Sequence, residues 1–170
     1  RLVQSATRAS LHTTDYYTRV CQLINWLYFA TSYEDINFDH RVWGKFAAFV
    51  VHIWSAIGHV DAARIVEPTV GLLVRLGVYH RQRALVEQSE KALRLALTIA
   101  EQNYSGDDYR LTKPISALGS LLLMAGRPHE AESLLRRALD IATARLGTDH
   151  PSTAVLVNNL AEILKATNRH

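Results

Sequence analysis

Ala138-Leu139-Asp140-Ile141-Ala142 restates, 42 positions later, Ala96-Leu97-Thr98-Ile99-Ala100. The same interval separates Leu118-Gly119 from Leu76-Gly77 and from Leu160-Ala161, Leu135-Arg136 from Leu93-Arg94, Glu132 from Glu90, and Asp149 from Asp107. A fixed spacing of this size marks a stacked-repeat protein, whose units cannot bury their own apolar faces and must pack on their neighbours. Within a unit, Ala131, Leu134, Leu135, Ala138 and Ala142 fall on one face of an α-helix. Small residues at Gly119, Ala131 and Ala138 let two helix axes approach closely, while Leu118, Leu122 and Leu135 fill the seam between them. Each unit is therefore expected to be a helical hairpin. Gly126-Arg127-Pro128 marks the turn inside it, and Gly147-Thr148-Asp149-His150-Pro151 the longer turn to the next, with Pro151 suited to the first turn of the following helix.

The rest of the chain bounds what surrounds these hairpins. Its 170 residues, 48% hydrophobic and 21% charged with 8 Gly and 4 Pro, suit a folded chain of one or two structural units with no long disordered tail. Residues 1–65 do not continue the period, yet Tyr17, Val20, Cys21, Ile24, Leu27 and Tyr28 share one helical face, and Val42, Phe46, Phe49, Val50, Ile53 and Ile57 a second. A helical connector over 1–65 followed by repeats over 66–170, two complete hairpins and the first helix of a third, is the expected all-α, superhelical layout. Trp26, Trp43 and Trp54 are expected to pack in the core, given the apolar area each must bury. The nearly apolar run 46–57 is too short to span a bilayer. The lone Cys21 favours a reducing, cytoplasmic compartment. The start at Arg1 without an initiator Met and the stop at His170 inside the pattern read as a piece of something longer.

The repeats resemble the tetratricopeptide repeat, and the 42-residue spacing with Leu146-Gly147-Thr148-Asp149-His150-Pro151 followed by Asn158-Asn159-Leu160-Ala161-Glu162 resembles its kinesin-light-chain-type variant. The resemblance covers about 70–170 and is strongest over 110–147. The first unit departs from it: His80 stands where an apolar residue is usual, Ser89 replaces the small Ala, and Gln82-Arg83-Ala84 replaces the Gly-Arg turn. Arg1-Leu2-Val3-Gln4, Trp43 and Val51-His52, in that order ahead of the repeats, resemble the stretch joining a winged-helix module to the repeats of bacterial signalling ATPases with an NB-ARC-like (STAND-type) motor. That resemblance implies a winged-helix tail at 1–11 and a motor upstream. No phosphate loop occurs in this sequence, so no nucleotide or other cofactor is expected here.

No catalytic constellation stands out. Ser105, Ser116 and Ser120 have neither a neighbouring His base nor a glycine elbow. His52 and His59 are seven apart, a spacing unlike a helical metal pair, so no metal site is expected. By the family resemblance Asp149 and His150 open a helix, where a carboxylate would accept orphan N–H bonds and complement the dipole. The net charge of +3 is spread among acidic neighbours, which argues against nucleic acid as partner.

What remains is the concave wall, lined in such stacks by the first helices of the hairpins. Its candidate residues are Arg75, Val78 and Arg81 in the first unit, Lys113, Ser116 and Ser120 in the second, and Asn158, Asn159 and Glu162 in the third. By the family resemblance the paired asparagines are groove residues that hold a peptide backbone, to which an amide can donate and from which it can accept. Arg75, Arg81 and Lys113 predict an acidic or C-terminal-carboxylate peptide. The expected function is a protein-interaction scaffold serving a larger signalling ATPase as its sensor region, with a stand-alone adaptor as the alternative and a nucleic-acid binder as a weaker one. Self-association through the C-terminal helix is also expected, because Val157, Leu160, Ala161 and Leu164 lack the second helix of their hairpin.

Overall fold

The computed structural model describes residues 13–31, 40–58 and 65–167. Seven α-helices and one short 3-10 turn make up the described chain, with no strand among the described residues. The tail expected at 1–11 and the polar segment 32–39 lie outside them. The chain divides into two compact units, Arg1–Leu72 and Leu73–His170.

In the first unit α1 (Thr13–Ala30) and α2 (His40–Ile57) pack through Val20, Ile24 and Leu27 on one side and Phe46, Ile53 and Ala56 on the other, all buried. Val20, Ile24, Leu27, Phe46 and Ile53 belong to the stripes expected from the 3.6-residue period, whereas Cys21, Tyr28, Phe49, Val50 and Ile57 of those stripes are half-buried. Tyr28 of α1 lies against Gly71, where an added β carbon would sit 2.3 Å from its ring. Trp26 corrects an expectation: it is 57% exposed and meets Phe49 edge-on, ring centroids 5.8 Å apart. Trp54 is half-buried, and the side chain of Trp43 lies outside the described residues.

The division between the units falls inside α3 (Val66–Gln82), which pairs with α4 (Val86–Asn103) as the first hairpin. A 3-10 turn, Tyr109–Leu111, leads into α5 (Thr112–Met124), α6 (Pro128–Leu146) completes the second hairpin, and α7 (Pro151–Ala166) follows. The seam geometry repeats with the sequence. A β carbon added at Gly77 would come 2.4 Å from Leu93 Cγ, and one at Gly119 2.8 Å from Leu135 Cγ, so in each hairpin the glycine admits a fully buried leucine. Burying such a leucine is worth ~1.5–3 kcal/mol relative to solvent, and that gain depends on the helix opposite having no side chain in the way. Ser89, fully buried, donates its hydroxyl to the Gly77 carbonyl at 2.7 Å and so ties α4 to α3 where the second unit has Ala131.

The turns repeat as well. After α5, Gly126 takes φ 74° while its N–H reaches the Leu123 carbonyl and that of Arg127 the Leu122 carbonyl, the paired bonds that close a helix C-terminus. After α3 the same pair forms, Ala84 to Arg81 and Leu85 to His80, around Ala84 at φ 57°. Pro128 and Pro151 occupy first-turn positions, where no N–H is needed. The entries to α5 and α7 match at the same interval: Asp108 Oδ1 accepts from the Arg110 N–H at 2.9 Å, and His150 Nδ1 from the Ser152 N–H at 3.1 Å. The ring nitrogen of His150, rather than the Asp149 carboxylate, is thus the acceptor that opens α7, while Asp149 takes a hydrogen bond from the Thr148 hydroxyl at 3.3 Å.

Candidate functional site

The first helices of the hairpins in the second unit, α3, α5 and α7, present equivalent faces at the 42-residue interval. Arg75, Ala117 and Asn159 occupy one row, Val78, Ser120 and Glu162 the next, and Lys113 shares a row with Val155. On α7 the buried residues Thr153, Leu156 and Ile163 turn inward, which leaves Val155, Asn158, Asn159 and Glu162 toward the side that continues this surface.

One part of the surface is bonded across units. Asn159 Nδ2 donates to Ser116 Oγ at 3.2 Å and to Ser120 Oγ at 3.4 Å, so the two serines, one turn apart on α5, grip a single amide from α7. All three are half-buried. Asn158 is different: it is exposed, about 100° further round the helix, and the pair expected to act together points in two directions. Glu162 and Lys113 are exposed, whereas Arg75, Val78 and Arg81 are half-buried. Burial lowers the pKa of the Arg81 guanidinium, which nevertheless keeps its charge at any physiological pH.

Three apolar neighbours escape a search for polar groove residues. Val155 is 54% exposed and Met124 51%, and Ala117 is half-buried between Arg75 and Asn159 in its row. Carrying Lys113 and Arg75 forward by 42 finds Val155 and Ala117, and extending α5 one turn past Ser120 finds Met124.

On the opposite flank, the second helices are clamped by ion pairs running from acids of the first hairpin to arginines of the second. Glu90 meets Arg127 at 2.8 Å, Glu101 meets Arg137, and Asp107 meets Arg145; within α4, Glu90 also meets Arg94 at 2.7 Å. Burial alone would raise the Glu90 carboxyl, but the hydrogen bonds from Arg127 and Arg94 outweigh it and hold the group below the usual carboxylate range. The three cross-hairpin pairs link consecutive hairpins on this flank.

On the last described helix, α7, Leu156 and Ile163 are buried, Leu160 and Leu164 half-buried, and Val157 and Ala161 exposed. Among the described residues no group of three His, Cys, Asp or Glu side chains could hold a metal ion, and no helix is long and apolar enough to cross a membrane.

The sequence model of the tetratricopeptide repeat family matches residues 69–144 and 112–170. No curated protein matches the chain. Among solved structures, that of BtubC (BKLC) from P. vanneervenii aligns with a TM-score of 0.66 at 16% identity, over 97% of this chain and 62% of that one. At that identity the likeness is one of fold, and the chain spans less than two thirds of the length of its neighbour.

Proposed function

The chain belongs to the tetratricopeptide repeat family, and from that premise we propose that the faces of α3, α5 and α7 form a groove that holds a protein or peptide partner. Tetratricopeptide repeats serve as protein-interaction scaffolds. The observation that carries the reading here is the amide of Asn159, oriented by Ser116 and Ser120 from the neighbouring unit. Its Oδ1 remains available to accept an N–H from an extended backbone, and a pre-oriented acceptor costs a ligand less than one it must first immobilise. Val155, Met124 and Ala117 supply the apolar contact beside it.

The partner is an acidic or carboxylate-ended peptide, complementary to Arg75, Arg81 and Lys113, with affinity in the micromolar range, ~8 kcal/mol. The groove is the sensor surface of a larger cytoplasmic signalling ATPase, supported by the order of Arg1-Leu2-Val3-Gln4, Trp43 and Val51-His52 ahead of the repeats. The exposed Val157 and Ala161 would let two copies associate through α7.

A fluorescence-polarisation titration with acidic and basic peptide pools tests the groove. Asn159→Ala should weaken binding of the acidic pool about tenfold, and Asn158→Ala by less, with both variants melting as the wild type does. Acidic peptides that bind no better than basic ones, or binding unchanged by Asn159→Ala, would reject it. A phosphate loop in the coding sequence upstream decides the ATPase context, and light scattering decides self-association.

A further inference from the structure

Two residues of the α3–α4 hairpin that differ from their counterparts in α5–α6 bear on one turn. His80 stands where Leu122 stands 42 positions on; it is 6% exposed, and neither Nδ1 nor Nε2 has a hydrogen-bond partner. Ala84 takes the place of Gly126 in the left-handed region, at φ 57°, which a β carbon disfavours. The two act on the same turn, since the His80 carbonyl accepts the Leu85 N–H that closes it. The Tyr79 ring lies 5.4 Å from the imidazole, and Arg83 donates to the Tyr79 hydroxyl at 2.7 Å, which holds a guanidinium beside the site.

A buried imidazole without partners is costly when neutral and far more so when charged. Burial, and after it the charge of Arg83, holds the ring below its ordinary value of 6.5. Among the described residues, no acid of α3, α4 or α5 is bonded to the ring. On α3 the next charged group is Arg81, also positive. On α4, Glu87 and Lys91 are exposed and Glu90 is turned onto Arg94 and Arg127. On α5 the charged residue is Lys113, at its N-terminal end.

We propose that the α3–α4 hairpin is an acid-sensitive joint, closed while the His80 imidazole is neutral and loosened when that ring takes up a proton. Linkage sets the direction. As pH falls below about 6.5 the ring of the opened hairpin protonates first, so the penalty is absent above that pH, grows below it, and levels off once the folded ring protonates too. Each pH unit by which the folded ring lies below the opened one raises the open fraction about tenfold. Because α3 carries Arg75, Val78 and Arg81, loosening would withdraw one wall of the groove; that consequence rests on the groove reading, and the joint itself does not.

Hydrogen exchange read by mass spectrometry on the full chain at about pH 7.5 and about pH 5, corrected for intrinsic rates, measures the joint directly. The α3–α4 amides should lose about tenfold or more of their protection at the lower pH while α5–α6 changes little, and His80→Leu should abolish the difference. Equal loss in both hairpins, or the same loss in His80→Leu, overturns the proposal. Should that variant misfold, an NMR titration of the wild-type imidazole serves instead. The ring should stay neutral until the hairpin amides shift with it, and a ring that titrates near its ordinary value while those amides stay put overturns the proposal equally.

Discussion

In α5–α6, Gly126 supplies the left-handed residue of the turn, Leu122 fills the seam below it and Ala131 lies flush against α5. In α3–α4 the same three places hold Ala84, His80 and Ser89, and yet the turn closes with the same two backbone bonds. What the hairpins keep is the glycine at 77 and 119 and the leucine at 93 and 135 that fills the space above it. The contact that excludes a β carbon therefore sets the distance between helices, and turn chemistry and polar substitutions can be absorbed around it. The first hairpin absorbs more of them, with a strained turn and an orphaned imidazole against one added hydrogen bond from Ser89, so it should be the weaker of the two.

The hardest blow to that comparison is at the seams. Gly119→Ala should destabilise by ~1–3 kcal/mol and Gly77→Ala by at least as much, because the added carbon meets a leucine Cγ at 2.8 and 2.4 Å and overpacking outweighs the gain in helix propensity. Denaturant melts that show either substitution to be neutral or stabilising would remove the shared contact as the determinant of spacing. A smaller effect of opposite sign is expected at the turns. Ala84→Gly should stabilise by ~1 kcal/mol and Gly126→Ala destabilise by a similar amount, and a thermal melt in which Ala84→Gly lowers Tm would show that the strain is not felt.

Ser89→Ala should cost ~0.5–1.5 kcal/mol, less than a truly orphaned group would, because the Gly77 carbonyl is still part of the α3 ladder. If instead the variant gains stability, Ser89 is a tolerated defect and the first hairpin lacks even that compensation. The smallest change concerns the clamp between hairpins. Arg137→Gln should cost ~0.5 kcal/mol, since its pairing with Glu101 is exposed, and the loss should shrink as salt is raised. A loss that ignores ionic strength would point to packing by the arginine stem in place of charge.

Much of this fold can be read before any coordinate is known. The helix stripes Val20, Ile24, Leu27 and Ala131, Leu135, Ala138, Ala142 are written in residues three and four apart, and the hairpin seams in a glycine and a leucine that recur every 42 positions. These are local or periodic facts, and backbone geometry turns them into structure without reference to anything distant. The exposure of Trp26 was not legible, because an aromatic residue beside a buried stripe satisfies the period whether or not a neighbour covers it. Nor was the acceptor that opens α7: Asp149 and His150 both have one, and the choice depends on which side chain the turn aims at the Ser152 N–H.

The groove shows the same boundary at the level of single residues. The sequence by itself determined that the chain is a stack of helical hairpins and which helix comes first in each, since both follow from period and order along the chain. Only the tertiary structure decided that Asn159, and not Asn158, meets Ser116 and Ser120, that Glu90 is shared between Arg94 and Arg127, and that His80 is sealed in with no partner. Each of those outcomes turns on about 100° of helix rotation or a few ångströms between chain segments some 40 residues apart, distances that no residue specifies until its neighbours are packed against it.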